Sequence, residues 1–268
     1  MITKRVRVDD IELAYADEGR GEALVLIHGH PLSKATWDEQ AEILRGEFRV
    51  IRPDLRGLGE SSVPPGPYPM ERLADDLAAV LDAAGVGRAT VVGHSLGGYV
   101  AMAFYRRYAE RVRAIGLISS RVQSDTPEVA RMRFEFADRM QSEGMEPFAD
   151  FALPLFFAEQ IYEARPDIVR RVRAIVASCD PRGAAEMYRG MATRPSSEDL
   201  LAKLDRPLLV VTGSADALIP PALQKYAADA VGHARYVELA GCGHFPLSER
   251  PVETARALRD LVTLALAS

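Results

Sequence analysis

Five residues near the middle of the chain, Gly93-His94-Ser95-Leu96-Gly97, set one serine between glycines. An apolar run, "ATVV", leads in, and a helical pattern, "LGGYVAMAFYRRY", follows at once. The G-x-S-x-G spacing suits a tight strand-to-helix turn that lifts a hydroxyl clear of a sheet. Glycines on either side let the backbone close up without side-chain clashes. A helix starting at Leu96 also points its unpaired N–H groups and positive dipole end at the same place. A serine hydroxyl is a weak nucleophile, so this chemistry needs a base and a carboxylate to orient that base.

Five histidines are available: His28, His30, His94, His233 and His244. His244 lies in "LAGCGHFPLSERP", a loop after the last expected strand, and so emerges at the same carboxyl edge of the sheet as Ser95. His233 precedes that strand and belongs to the opposite edge, and His94 is expected to pack. For the acid, "VVTGSADALIP" puts Asp216 just after the penultimate strand, again at the carboxyl edge; its competing role is to cap the next helix. Asp125, shortly after "RAIGLISS", is the fallback acid. In "LVLIHGHPLSKATW", Gly29 allows a close approach that leaves the His30 N–H free. With the Leu96 N–H it would form a two-donor oxyanion hole. His28 and His30 have the spacing of a metal pair, but no further ligand pattern follows, and no metal is expected.

These residues need a scaffold that brings strand ends together. "KRVRVDDIELAYAD" alternates apolar and polar residues on both sides of Asp9-Asp10, the pattern of a hairpin with one wet face. "ALVLIHGH" is continuously apolar, as in a strand buried on both faces. "FRVIRPD", "ATVVGH", "RAIGLIS", "RPLLVVTGS" and "ARYVELAG" read as further strands. Helical patterns separate them at about 35–45, 71–84, 96–108 and 220–231, with a last helix from about 251. The alternation predicts a mostly parallel eight-stranded sheet with right-handed crossovers. Residues 120–200 interrupt it with amphipathic helical patterns such as "RPDIVRRVRAIVASC". They are too long for a loop and are expected to form a helical subdomain.

Composition narrows the function classes. The 268 residues suit one large α/β domain or a domain carrying a lid, and a net charge of −5 argues against a nucleic-acid binder. Two cysteines far apart offer neither a disulfide framework nor a CxxC site. "MITKRVRVDD" lacks the apolar core of a signal peptide, and no apolar run is long enough to span a membrane; a cytoplasmic location is expected. "GLGESS" and "GVGRAT" begin like dinucleotide fingerprints but lack the third glycine and the strand-then-helix setting.

"HGHP", "DLRGLGESS", "GHSLGG", "GSADALIP" and "GCGHFPLSERP" resemble the recurrent segments of the α/β-hydrolase superfamily. The resemblance runs over nearly the whole chain outside 120–200, and the order Ser95, Asp216, His244 is that family's. It implies a cofactor-free serine hydrolase with the α/β-hydrolase fold: a core at 1–119 and 201–268, and a helical cap at 120–200 between the sixth and seventh strands. "HGHPLSKATW", "MERLADDLAAVLDAAGV" and "EGMEPFADFALPLFF" are similar to the esterase and enol-lactonase branch.

The expected reaction is therefore cleavage of a small or medium ester or lactone through an acyl-enzyme, with Ser95, Asp216 and His244 as triad. Phe134, Phe157, Met187 and the His30 side chain are candidate substrate contacts. Perhydrolysis, C–C bond or amide hydrolysis on the same triad, or a small-molecule receptor, are the alternatives. The expected partner is the substrate alone, with no nucleic acid or membrane, for a monomer or homodimer.

Overall fold

The alternation around Asp9-Asp10 becomes a hairpin in the computed structural model, which describes residues 2–267. Strands β1 (Thr3–Val8) and β2 (Ile11–Glu18) pair antiparallel across it, with Asp9 at a φ of 55°. The remaining strands are β3 (Ala23–Ile27), β4 (Arg49–Pro53), β5 (Ala89–His94), β6 (Val112–Ile118), β7 (Leu208–Gly213) and β8 (Arg235–Leu239). Their order is β1-β2-β4-β3-β5-β6-β7-β8. Only the β1–β2 and β2–β4 pairs are antiparallel; every later pair is parallel. All residues of β3, β5 and β7 are buried, which is why they read as unbroken apolar runs.

Helices α1 (Asp38–Leu44), α2 (Met70–Ala83) and α3 (Leu96–Arg107) follow β3, β4 and β5 in turn. After β6 the chain builds six helices before returning to the sheet. They are α4 (Pro127–Glu143), α5 (Glu146–Phe156), α6 (Ile161–Ala164), α7 (Pro166–Ala177), α8 (Pro181–Ala192) and α9 (Glu198–Leu201). These occupy the stretch where the strand pattern lapses. Then come α10 (Pro221–Asp229), α11 (Pro246–Glu249) and α12 (Pro251–Ala267).

Local chemistry explains the insert's start points. Thr126 caps α4 by accepting from the Val129 N–H, with Pro127 at the first helical position; Asp180 and Pro181 do the same for α8. Helix α7 buries Ile168, Val172 and Val176, a stripe repeating every four residues. Side chains of the insert join both layers of core. Met187 and Met191 pack with the α2–α3 side of the sheet, and Phe148 and Val172 with the α1–α12 side. The insert is thus packed against both core layers of the sheet rather than tethered by its ends alone. Among the described residues, no helix is long and apolar enough to cross a membrane.

Candidate active site

Ser95 sits at φ 52° and ψ −115°, a left-handed backbone that a non-glycine residue keeps only when its surroundings enforce it. Three hydrogen bonds do so. The Ser95 N–H donates to the Ile118 carbonyl (2.9 Å), and the Ser95 carbonyl accepts from the Gly98 N–H (2.9 Å) and the Ser120 hydroxyl (2.7 Å). The flanking glycines are steric necessities. A Cβ on Gly93 would lie 2.0 Å from the Gly97 backbone, and one on Gly97 would lie 2.3 Å from the Ile27 carbonyl oxygen. The turn can close only without those side chains, and closing it brings the serine to a cavity wall.

His244 donates from Nδ1 to Asp216 Oδ2 at 2.9 Å, with both side chains almost wholly buried. Asp216 also accepts from the Leu218 and Ile219 N–H groups on Oδ1 (2.9 Å each) and from Gln224 Nε2 on Oδ2 (2.8 Å). Burial by itself would raise the Asp216 carboxyl, but the His244 ring and the Ile219 and Leu218 N–H groups outweigh it and hold the group below its ordinary range. An ionised Asp216 only accepts, so the proton belongs on His244 Nδ1 and the lone pair on Nε2.

The histidine loop is laid directly against the serine turn. His94 Nε2 donates to the His244 carbonyl at 2.8 Å, and the two rings stand 5.0 Å apart. The His244 N–H donates to the Phe156 carbonyl at the end of α5 (2.9 Å). Ser95 Oγ makes no hydrogen bond of regular geometry among the described residues, a looseness that resting sites of this kind lose when a substrate arrives. Glu249 fixes the same loop by accepting the N–H groups of Gly243 (3.0 Å), Phe245 (3.2 Å) and, from the insert, Ala158 (3.3 Å). Sequence reasoning missed Glu249; its one signal was an acid five residues beyond a glycine-flanked histidine.

At the end of β3, a Cβ on Gly29 would meet His94 Nδ1 at 2.9 Å, so the absence of a side chain lets this loop press on the serine turn. The next N–H, that of His30, is not hydrogen-bonded within the chain among the described residues, nor is that of Leu96, the first residue of α3. The structure therefore brings Ser95, His244, Asp216 and the His30 and Leu96 backbone to one place. His28 is held elsewhere: Nδ1 bonds to the Gly29 carbonyl (2.8 Å) and Nε2 accepts the Leu55 N–H (3.0 Å). His233 bonds to the Arg206 carbonyl in an exposed position. Asp125 meets arginines rather than any histidine.

The cavity holds about 240 Å³ and is mostly apolar, with Ser95, His30, Tyr99, Phe156 and Tyr188 among its walls. Met132, Phe151, Leu218 and Leu223 line it too and remain 37–49% exposed, which marks them as its rim. Three expected contacts are corrected here. On α4, Val129, Met132 and Arg133 share the cavity face at helical spacing, so Phe134 turns off that face and is 40% exposed. Phe157 follows the last residue of α5 and packs on Phe245 (5.0 Å between rings), while its neighbour Phe156 lines the cavity. Met187 on α8 is buried in core, and Tyr188 and Met191 face the cavity instead. The His30 side chain does line it: Nε2 bonds to the Ala184 carbonyl of α8 (2.9 Å) and the ring stacks on Tyr188 (4.1 Å).

Burial holds the imidazoles of His30 and His94 neutral, each lowered to about 3, and lowers His28 as well. The unfolded chain takes up these protons near pH 6.5, whereas the folded chain resists them down to about pH 3. Stability is therefore full above pH 6.5 and falls as the pH drops through that window. At pH 5 each of the two loses about 2 kcal/mol, or about 4 kcal/mol together. Chemical denaturation at pH 7.5 and pH 5 checks this; equal midpoints would contradict it.

The sequence profile described as "Alpha/beta hydrolase family" matches residues 24–257. An esterase of Thermogutta terrifontis, solved with malate bound, is 37% identical and superposes with a TM-score of 0.95 over 99% of each chain. The enol-lactonase of Burkholderia xenovorans is 29% identical with a TM-score of 0.91, covering 97% of this chain and 100% of that one. The 3-oxoadipate enol-lactonase 2 of Acinetobacter baylyi is 26% identical over 247 residues, 90% of each chain.

Proposed function

We propose that this chain, which belongs to the alpha/beta hydrolase family, is a serine hydrolase that cleaves small or medium carboxylic esters or lactones through an acyl-enzyme. The observation that carries the reading is the strained Ser95 turn on the cavity wall, with the His244–Asp216 pair bonded against its preceding residue. The family resemblance to esterases and enol-lactonases agrees with it.

His244 Nε2 takes the Ser95 proton as Oγ attacks the carbonyl carbon, and the carbonyl π electrons move onto oxygen. The His30 and Leu96 N–H groups, fixed by the β3 loop and the start of α3, receive that oxyanion without reorganising. Collapse of the tetrahedral species expels the alkoxide, which takes the proton from His244. In a lactone the alkoxide stays tethered to the acyl group. Water then loses a proton to His244 and attacks the acyl-enzyme; the acid leaves and Ser95 regains its proton. Asp216 keeps the ring in the one tautomer that can do both transfers. The α4–α9 insert acts as the cap that shapes the substrate side and limits water.

A p-nitrophenyl ester series tests this. Acetate and butyrate are expected to turn over, and kcat/KM is expected to fall about tenfold or more by palmitate, because 240 Å³ cannot enclose that chain. Small lactones are expected to be hydrolysed as well. No turnover of any ester or lactone would overturn the reading.

A further inference from the structure

Gln224 on α10 is wholly buried and stands beside the triad acid. Its Nε2 donates to Asp216 Oδ2 at 2.8 Å and to the Ile219 carbonyl at 2.6 Å. Its Oε1 accepts from the hydroxyl of Thr212, near the end of β7, at 3.0 Å. Only one orientation of the amide fits these neighbours. An ionised carboxylate and a carbonyl can only accept, so the nitrogen must face both and the oxygen must face the hydroxyl. Burial alone does not bring this completeness: Gln40 is equally buried, and its Oε1 has no partner among the described residues.

What sets Gln224 apart is the oxygen it bonds to. The Leu218 and Ile219 N–H groups both take Asp216 Oδ1, whereas Gln224 joins His244 on Oδ2. The amide and the imidazole therefore share the lone pairs and the negative charge of one atom. A donor to the charged form spreads that charge and leaves less of it for the ring. With two donors on each oxygen, the carboxylate also has one rotation that satisfies all four. Leu218, Ile219, Pro220 and Leu223 line the cavity, so the amide that steadies the acid belongs to the same short segment as a wall of the substrate site.

We infer that Gln224 is a positioning residue of the triad, which through Asp216 Oδ2 fixes the carboxylate against His244 and moderates how firmly that histidine keeps a proton. This rests on the serine-hydrolase reading above and adds the residue that sets the working pH of its base. The other ionisable groups around the pair do not supply the effect. Burial keeps His94 neutral, lowered to about 3, with its ring 5.0 Å from that of His244. It pushes the Cys242 thiol up, and pushes Tyr236 of β8 up to about 12. Burial raises Glu249 on the histidine loop as well, but that group is the same in the proteins compared below.

The test is Gln224→Met, which keeps the length of the side chain and removes both of its donors. With Oδ2 left to His244 alone, the ring holds its proton to higher pH. The acid limb of kcat/KM for p-nitrophenyl butyrate is expected to lie about half a pH unit or more above the native one, the worth of one hydrogen bond. A limb that coincides with the native one, or moves to lower pH, overturns the inference even where the variant is slower or less stable. Imidazole NMR reads the same shift without turnover. The His244 ring protons, identified by their loss in His244→Gln, are expected to titrate at higher pH in Gln224→Met, and coincident titrations overturn the inference. If no ester is hydrolysed, the esterase reading fails separately and this titration decides alone. If Gln224→Met does not fold, the native protein decides. The Gln224 Nε2 proton resonances are expected to move in step with the His244 titration, because both donors share Oδ2. Resonances that stay still through that titration overturn the inference.

Discussion

Ser95→Ala is expected to abolish ester turnover, lowering kcat by about a millionfold while leaving the fold intact. The three hydrogen bonds that enforce the turn use the Ser95 N–H and carbonyl, not its hydroxyl, so alanine keeps all of them. The two residue types carry the same Cβ, so the positive-φ backbone is no more strained in the variant than in the native chain. Only the nucleophile is removed. Turnover of p-nitrophenyl butyrate, together with the circular dichroism spectrum and melting temperature, checks this. A folded variant that retains activity would show that the reaction does not pass through Ser95.

Asp216→Asn is expected to cost about four orders of magnitude in kcat, more than a lost hydrogen bond alone would explain. The carboxylate accepts from four donors: the Leu218 and Ile219 N–H groups on one oxygen, and His244 and Gln224 on the other. An asparagine that keeps its oxygen towards the two backbone groups must turn its amide N–H groups towards His244 and Gln224. Gln224 Nε2 then faces another donor. His244 Nδ1 can face an N–H only as an acceptor, which moves the ring proton to Nε2, where it can no longer take one from Ser95. The check is kcat with KM measured separately. The loss is expected in kcat, and an unchanged kcat would remove Asp216 from the relay.

Much of this arrangement is legible in the amino-acid sequence. Fully buried parallel strands such as β3 and β5 announce themselves as apolar runs, because both faces are covered and no polar position survives. Once those strands are parallel, the residues following each one share an edge, and that alone groups Ser95, Asp216, His244 and the His30 loop. What stayed hidden depends on how helices pack over that edge. Phe134 and Arg133 are adjacent on α4 and both long, yet only one faces the cavity, because α4 lies along α8 in one particular rotation. The Arg121–Asp125–Arg133–Arg194 cluster likewise joins the loop after β6, α4 and the segment after α8, a convergence no local pattern encodes. Asp125 was a reasonable alternative acid by position along the chain; three arginines and no histidine around it give it a different chemistry.

The central claim is that catalysis passes through an ester bond to Ser95. Mass spectrometry of the protein quenched during steady-state hydrolysis of p-nitrophenyl butyrate tests it most directly. The account predicts one butyryl group per chain, located on the peptide that contains Ser95 and absent from Ser95→Ala. Turnover with no acylated protein, or with the acyl group on any other residue, would contradict it.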